Sequence, residues 1–278
     1  MSDRDTSVGE IDFDVPSPAR MYDYFLGGAQ NSAADRASAE EAIARFPNVA
    51  RTAQANRSFL GRAVRYCLET GIDQFLDLGS GIPTVGNVHE VAHAVNPDAR
   101  VAYVDCEPVA AIHARHLLRD TSGVTITEAD LRQPDVVLGS PGVAGLLDFT
   151  RPVALLTVSV LHFIDDLDDP WGIVARYRRA LPPGSALVLS HVSDDQPDEE
   201  LAAAVRAVNE IYRRTTTAGG PRDRAAIEAM FAGFTLVEPG LVDLVHWRPT
   251  EDSTGADRSA FYGAVGHLDR QPESSGAA

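Results

Sequence analysis

Lysine is absent: all 24 basic side chains among the 278 residues are arginine. That excludes a Walker-type phosphate loop with its lysine, pyridoxal Schiff-base chemistry and a lysine general base. Arginine-biased codon usage accounts for the bias, and the exclusions stand regardless. Cysteine is scarce. Two residues build no disulfide framework and point to a reducing compartment. No apolar run reaches the ~18 residues that would mark a membrane span. Positive charge is short overall, 24 basic against 40 acidic side chains for a net −16. Such a surface repels phosphate backbones, so nucleic acid is an unfavourable partner. The N-terminus, Met1 to Asp14, carries five acids and one Arg, the opposite of a signal peptide. These features predict a cytoplasmic chain with neither a membrane nor a nucleic-acid partner.

Apolar content of 44% and charged content of 23% are ordinary for a globular protein. Charge is nevertheless unevenly placed. Residues 1–16 hold five acids and one Arg and read as a flexible acidic tail. Residues 17–70 hold seven Arg and five acids, the only net-positive stretch. This stretch reads as a helical cap over 17–71. Pro16-Ser17-Pro18 is a breaker in which Ser17 is a candidate helix cap, and helices are predicted over Ala33–Arg45 and Thr52–Glu69. From Ile72 the pattern changes to short apolar runs separated by helical stretches. The runs are Gln74–Leu78, Arg100–Val104, Val124–Thr127, Val153–Val160 and Ala186–Leu189. Runs apolar on both faces, alternating with helices, indicate a parallel sheet covered on both sides. Two further strand candidates, Leu241–Trp247 and Ser259–Leu268, have no helix between them and can pair antiparallel. The expectation is an α/β, Rossmann-like, doubly wound seven-stranded sheet over residues 72–268, five strands parallel and two forming a C-terminal hairpin. A tail over 269–278 closes the chain.

The chemistry begins at Asp77-Leu78-Gly79-Ser80-Gly81, where a buried strand runs into a Gly-x-Gly turn. Glycine permits positive φ and close approach of a ligand to the backbone. The turn lies at the carboxyl end of the first strand, where open α/β sheets bind ligands. A dinucleotide fingerprint would need a third glycine at Thr84; Pro83 and Thr84 instead are read as starting the next helix. Asp77 would oppose a pyrophosphate and suits a cationic amino group. Asp105, ending the second strand 24 residues after Gly81, can accept from a ribose diol. Asp130, after the third strand, can accept from the exocyclic amine of adenine. Each acid alone is as well explained as a loop acid or helix cap; three after successive strands, with the glycine turn, make an adenosine pocket.

This order of Asp-x-Gly-x-Gly, acid after strand two, acid after strand three and closing hairpin resembles class I S-adenosylmethionine-dependent methyltransferases over about residues 72–268. Residues Pro18 to Gly28, Asn31, Ala34-Asp35-Arg36 and Ala55-Asn56-Arg57-Ser58-Phe59-Leu60 narrow it. They resemble an actinobacterial S-adenosyl methyltransferase family, formerly a domain of unknown function. One departure from the wider superfamily is Pro83, where many members carry a third glycine. The resemblance implies S-adenosyl-L-methionine as cofactor. Gly79, Ser80 and Gly81 would line its methionine part, Asp77 would orient its ammonium and Asp105 its ribose. Cys106 and Glu107 would flank the adenine, Asp130 would read the adenine amine, and Leu131 would pack on the ring. Ser159 to His162 would face the sulfonium and the acceptor.

His162, after the fourth strand, is the candidate catalytic base, needed only if the acceptor must lose a proton. A packing or capping histidine is the competing reading. His191, ending the fifth strand, is a second candidate. Arg20 or Arg57 is placed to meet the cofactor carboxylate if the segment around Tyr22, Tyr24 and Phe25 acts as a lid. His89 with His93 and His113 with His116 lack a third ligand and read as helix surface, so no metal is expected. Asp165-Asp166-Leu167-Asp168-Asp169 lacks the calcium-loop pattern and reads as a loop capping the helix from Pro170. The expected partner is a small-molecule acceptor, its specificity set by the lid and by the insert around Ser193–Pro221. The alternative is a non-catalytic sensor or partner protein that binds S-adenosylmethionine or S-adenosylhomocysteine.

Overall fold

A computed structural model describes residues 12–84, 86–217, 219–250 and 258–269. The tails expected over 1–16 and 269–278, and the stretch between the last two strand candidates, lie largely outside the described residues.

Five parallel strands form where the apolar runs predict them: β1 Gln74–Leu78, β2 Arg100–Asp105, β3 Val124–Glu128, β4 Ala154–Val158 and β5 Ala186–Val192. Short strands β6 Thr235–Leu236 and β7 Val242–Asp243 precede β8 Phe261–His267. The sheet order is β3-β2-β1-β4-β5-β8-β6, with β7 also paired to β8. β8 runs antiparallel to β5, β6 and β7. The sheet thus has eight strands where seven are expected. Strand order reverses beside β1, which pairs with both β2 and β4. That is the switch point at which open α/β sheets bind ligands.

Helices α1 Pro18–Phe25, α2 Ala33–Arg45 and α3 Val49–Glu69 precede the sheet. Within and after it come α4 Val88–His93, α5 Pro108–Leu117, α6 Pro134–Leu138, α7 Pro141–Ala144, α8 Pro170–Ala180, α9 Glu199–Tyr212 and α10 Arg224–Ala229. Successive strand residues face opposite layers. Leu76, Ala102, Leu155 and Leu187 pack with Ile173 and Tyr177 of α8. Phe75, Val101, Leu156 and Val188 pack with Phe59, Ala63 and Val64 of α3. A third apolar cluster joins Met21 and Phe25 of α1, Ala39 and Ala42 of α2, and Val205, Val208 and Ile211 of α9. The amphipathic insert helix α9 is therefore part of the roof that α1 and α2 form. Among the described residues no helix is long and apolar enough to cross a membrane.

Three local expectations are corrected. The strand predicted over Leu241–Trp247 stops after Val242–Asp243 and becomes a 3-10 turn at Leu244–His246. Arg62 of α3 causes the break: its Nε donates to the Trp247 carbonyl at 2.8 Å and its Nη2 to the Leu244 carbonyl at 2.6 Å, taking the acceptors a strand would need. The Trp247 ring is then fully buried, edge-on to Phe59 and Tyr66. The helix after the glycine turn begins at Val88, not at Pro83, and Glu90 accepts from the Asn87 N–H at 2.8 Å to close its first turn. Ser17 does not cap α1 with its side chain; its hydroxyl donates instead to Glu107 at 2.8 Å. The acidic loop behaves as read, since Asp169 caps α8 by accepting from the Gly172 N–H at 2.9 Å.

Candidate functional site

The glycine turn is fixed by sterics and by one acid. Gly79 has φ 70°, and a Cβ there would lie 2.2 Å from a Val160 methyl. Only glycine avoids both penalties. Gly81 donates its N–H to Asp105 at 2.7 Å, and the other Asp105 oxygen accepts from the Glu107 N–H at 2.8 Å. Burial pushes Asp105 up to about 6 against these hydrogen bonds. On the neighbouring strand, burial pushes Asp77 up to about 7, with Arg57 opposing and Asp105 adding to the rise. No hydrogen bond to the Asp77 carboxylate forms among the described residues. Two buried carboxylates thus stand beside a half-buried glycine turn.

Arg57 of α3 faces the same space. Its Nε is buried without a partner, it makes no ion pair among the described residues, and its guanidinium stacks over Tyr22 at 5.7 Å. Arg20 differs. Its Nε pairs with Asp35 at 2.7 Å, its Nη1 with Glu107 at 3.0 Å, and its Nη2 donates to the Val15 carbonyl at 2.7 Å. Of the two arginines considered for the cofactor carboxylate, only Arg57 is free to meet it. Glu107 is engaged on its cap side by Ser17 and Arg20.

These groups line one cavity of about 750 Å³, which extends from the carboxyl ends of β1, β2, β3 and β4 to the roof of α1, α3 and α9. Asp77, Gly79, Ser80, Gly81, Asp105 and Cys106 line it, as do Glu107, Asp130, Leu131, Ser159 and His162. The structure therefore places all of these on one cavity, whereas His191, the second candidate base, does not line it. Asp130 is tied to Arg132, whose Nη2 lies 2.7 Å from Oδ2, and Arg132 reaches on to Asp168 at 2.9 Å. Burial raises Asp130, but the Arg132 guanidinium and N–H outweigh it and hold the carboxyl below its ordinary value.

At the end of β4, Ser159 takes φ 58° and donates its N–H to Ser190 Oγ at 3.0 Å. The Ser190 hydroxyl donates to Asn56 Oδ1 at 2.6 Å, and Asn56 Nδ2 donates to Tyr22 Oη at 3.0 Å. This buried relay locks the roof to the strand ends. His162 sits in the 3-10 turn Leu161–Phe163 with its Nδ1 buried and unpartnered. Burial, then His191 and Arg222, hold it well below the ordinary histidine range, so it is neutral at physiological pH. His191 has no free nitrogen. Its Nδ1 donates to the Val192 carbonyl at 2.7 Å and its Nε2 accepts from Arg222 at 2.8 Å, since arginine can only donate. Burial takes it down to about 3. The second candidate base is thus a fixed, neutral structural group. Arg222 also holds the Leu161 and Ile164 carbonyls, at 3.0 and 2.6 Å, and Asp166 at 2.7 Å, clamping the turn that carries His162.

Sequence reasoning missed Arg222, Asn56 and Ser190 as parts of this framework, and Asn209 and Tyr212 as lining residues. Their partners lie tens to over a hundred positions away, so no local signal marks them. The motif around residues 20–36 serves the roof itself. Asp23 accepts from the Gln30 N–H and from Asn31 Nδ2, both at 2.8 Å, and a Cβ at Gly28 would lie 2.0 Å from the Asp23 carboxylate. Asp35 and Ser32 form a capping box. His89 bonds Tyr103 Oη at 2.8 Å and His93 the Ala99 carbonyl at 3.0 Å, so the two rings point to protein partners.

A family profile described as S-adenosyl methyltransferase matches residues 4–270. A crystal structure of a Thermobifida fusca protein, described as a candidate methyltransferase, is 40% identical with TM-score 0.85, covering 93% of this chain and 97% of that one. A DUF574 family protein from Streptomyces avermitilis is 36% identical with TM-score 0.86, covering 93% and 99%. Human N-acetylserotonin methyltransferase, solved in complex with S-adenosylmethionine, shares the fold at 14% identity and TM-score 0.51, covering 90% of this chain and 62% of that one. No curated protein matches the chain.

Proposed function

The chain belongs to the S-adenosyl methyltransferase family, and on that premise we propose that it transfers a methyl group from S-adenosyl-L-methionine, its cofactor, to a small-molecule acceptor held in the same cavity. The observation that carries this reading is the pair Arg57 and Asp77. A half-buried cation whose Nε is buried and unbonded and a buried carboxylate face one cavity beside the glycine turn; they attract each other, yet neither side chain is hydrogen-bonded among the described residues. Buried polar atoms left without hydrogen bonds are costly. A zwitterionic amino-acid end matches both, its carboxylate at Arg57 and its ammonium at Asp77. Asp105 then offers acceptor lone pairs to ribose hydroxyls, and Asp130 and Leu131 flank the base.

When bound, the cofactor supplies a methyl carbon already activated by its sulfonium, so alignment and exclusion of water carry much of the rate. The roof of α1, α3 and α9 supplies the exclusion. The Ser159-Ser190-Asn56 relay and the Arg222 clamp fix the segment that faces the acceptor. His162, neutral and weakly basic, is better suited to orient the acceptor by a hydrogen bond than to remove its proton. A roofed cavity in a chain of net charge −16 favours a small molecule over nucleic acid. Two unpaired cysteines, Cys67 and Cys106, fit the cytoplasmic location expected from the sequence.

Isothermal titration with S-adenosylmethionine, S-adenosylhomocysteine and NAD tests the reading. Binding of the two sulfur ligands without NAD is the expected result. Binding of NAD alone, or of none by the folded protein, overturns it.

A further inference from the structure

The cavity lining is of two chemical kinds. Every described charged side chain that lines it belongs to the N-terminal clamp (Asp12, Arg20), to Arg57, or to the strand-end loops between Asp77 and Asp168. The side bounded by α9 is walled by Phe25, Phe46, Val205, Val208, Asn209 and Tyr212. The last four stand at i, i+3, i+4 and i+7 and so form one face of α9. Phe25, Phe46, Val205 and Val208 also belong to one packed cluster with Met21 and Ile211. The wall is therefore preformed. Asn209 is half-buried on it, and its amide makes no hydrogen bond among the described residues. A volume of about 750 Å³ lies toward the upper end of the ~300–1,000 Å³ of ligand pockets, room for a nucleoside cofactor and a second molecule.

We propose that the α9-walled half is the acceptor subsite and takes an uncharged, largely apolar molecule of ring-system size, oriented by a hydrogen bond to Asn209. That its occupant is a methyl acceptor rests on the methyltransferase reading; its selection of neutral ligands does not. A carboxylate or ammonium placed against this wall leaves water and meets no charged side chain among the wall residues, so the wall disfavours it. A neutral ring system loses only apolar surface to water and gains the wall, while Asn209 donates to or accepts from its one polar group.

The test uses three probes of one shape: 2-naphthol, 2-naphthoate and 2-naphthylmethylammonium. Each is titrated calorimetrically into the full chain at pH 7.5, with and without saturating S-adenosylhomocysteine. The neutral probe is expected to bind at least about tenfold tighter than either charged one. Asn209→Asp is expected to shift the preference toward the cation, gaining about tenfold for the ammonium probe, with S-adenosylhomocysteine affinity unchanged. A gain of binding cannot arise from a misfolded variant. Equal or tighter binding of a charged probe to the wild type, no binding of 2-naphthol, or unaltered selectivity in Asn209→Asp overturns the proposal. If S-adenosylhomocysteine fails to bind while the probe selectivity holds, the methyltransferase reading falls and the neutral subsite stands; the reverse pattern removes the subsite alone.

Discussion

Cofactor affinity should fall steeply as pH drops below 7, and Asp77 sets the slope. In the cofactor-free protein burial raises this carboxyl to about 7, Arg57 opposes the rise and Asp105 adds to it. A ligand ammonium beside it stabilises only the carboxylate. Binding must then expel a proton wherever Asp77 is still protonated. For one such group the apparent dissociation constant is multiplied by roughly 1 + 10^(7−pH), about elevenfold at pH 6 and about a hundredfold at pH 5, or ~1.4 kcal/mol per unit. Asp105, at about 6, adds a second slope lower down. The sign for stability is opposite. The folded-state value lies above the ordinary ~3.9, so between that value and about 7 the folded chain holds a proton the unfolded chain has lost. The empty protein therefore loses stability as pH rises through this window while its ligand affinity grows. Calorimetry with S-adenosylhomocysteine from pH 5.5 to 8.5, in buffers of different ionisation enthalpy, counts the protons directly. Release close to one proton is expected at about pH 6 and almost none at about pH 8.5. Asp77→Asn should remove that component and cost ~1.5–3 kcal/mol of affinity at high pH. Wild-type affinity that is flat with pH, or proton release unchanged in Asp77→Asn, would refute the assignment.

The two cap arginines should separate cleanly. Arg57→Met is expected to weaken S-adenosylhomocysteine by ~1.5–3 kcal/mol without lowering the urea unfolding midpoint, because its Nε has no protein partner. Arg20→Met leaves Asp35 and Glu107, whose side chains are 0% and 13% exposed, without their cation. It should destabilise by ~3–5 kcal/mol in the same urea experiment; a purely affinity-based loss would contradict the structural role. His162→Gln should leave cofactor affinity intact and keep the shape of the kcat against pH profile, because burial already holds His162 neutral over the whole range. Loss of an inflection near pH 6.5 in that variant would make His162 a titrating base after all.

The parts of the fold that depend on local pattern were legible. Gln74–Leu78, Arg100–Asp105 and the other central strands are buried on both faces and read as apolar runs, and the acids that follow them fall on one edge because parallel strands all end there. What was not legible depends on long-range competition. Leu241–Trp247 has strand composition, yet Arg62, some 185 positions away, claims its carbonyls. His191 read as a second, weaker candidate base, and Arg222 occupies its Nε2. Arg20 and Arg57 are indistinguishable by type and segment; partners 15 and 87 positions from Arg20 decide between them.

Motif strength and site membership also proved to be separate properties. The N-terminal motif residues Arg20, Asp23, Gly28, Asn31 and Asp35 are bonded among themselves and hold the roof in shape. The α9 residues facing the acceptor half carry no motif. On α9 the sequence shows only an amphipathic period, and that period reports burial without saying what is buried against it. A face turned to protein and a face turned to a ligand obey the same spacing. They differ in one respect: a protein-facing stripe has no reason to keep an amide without a partner, and the stripe of Val205, Val208 and Tyr212 keeps Asn209. The polar exception within the apolar period, rather than the period, is where the specificity of such a site is written.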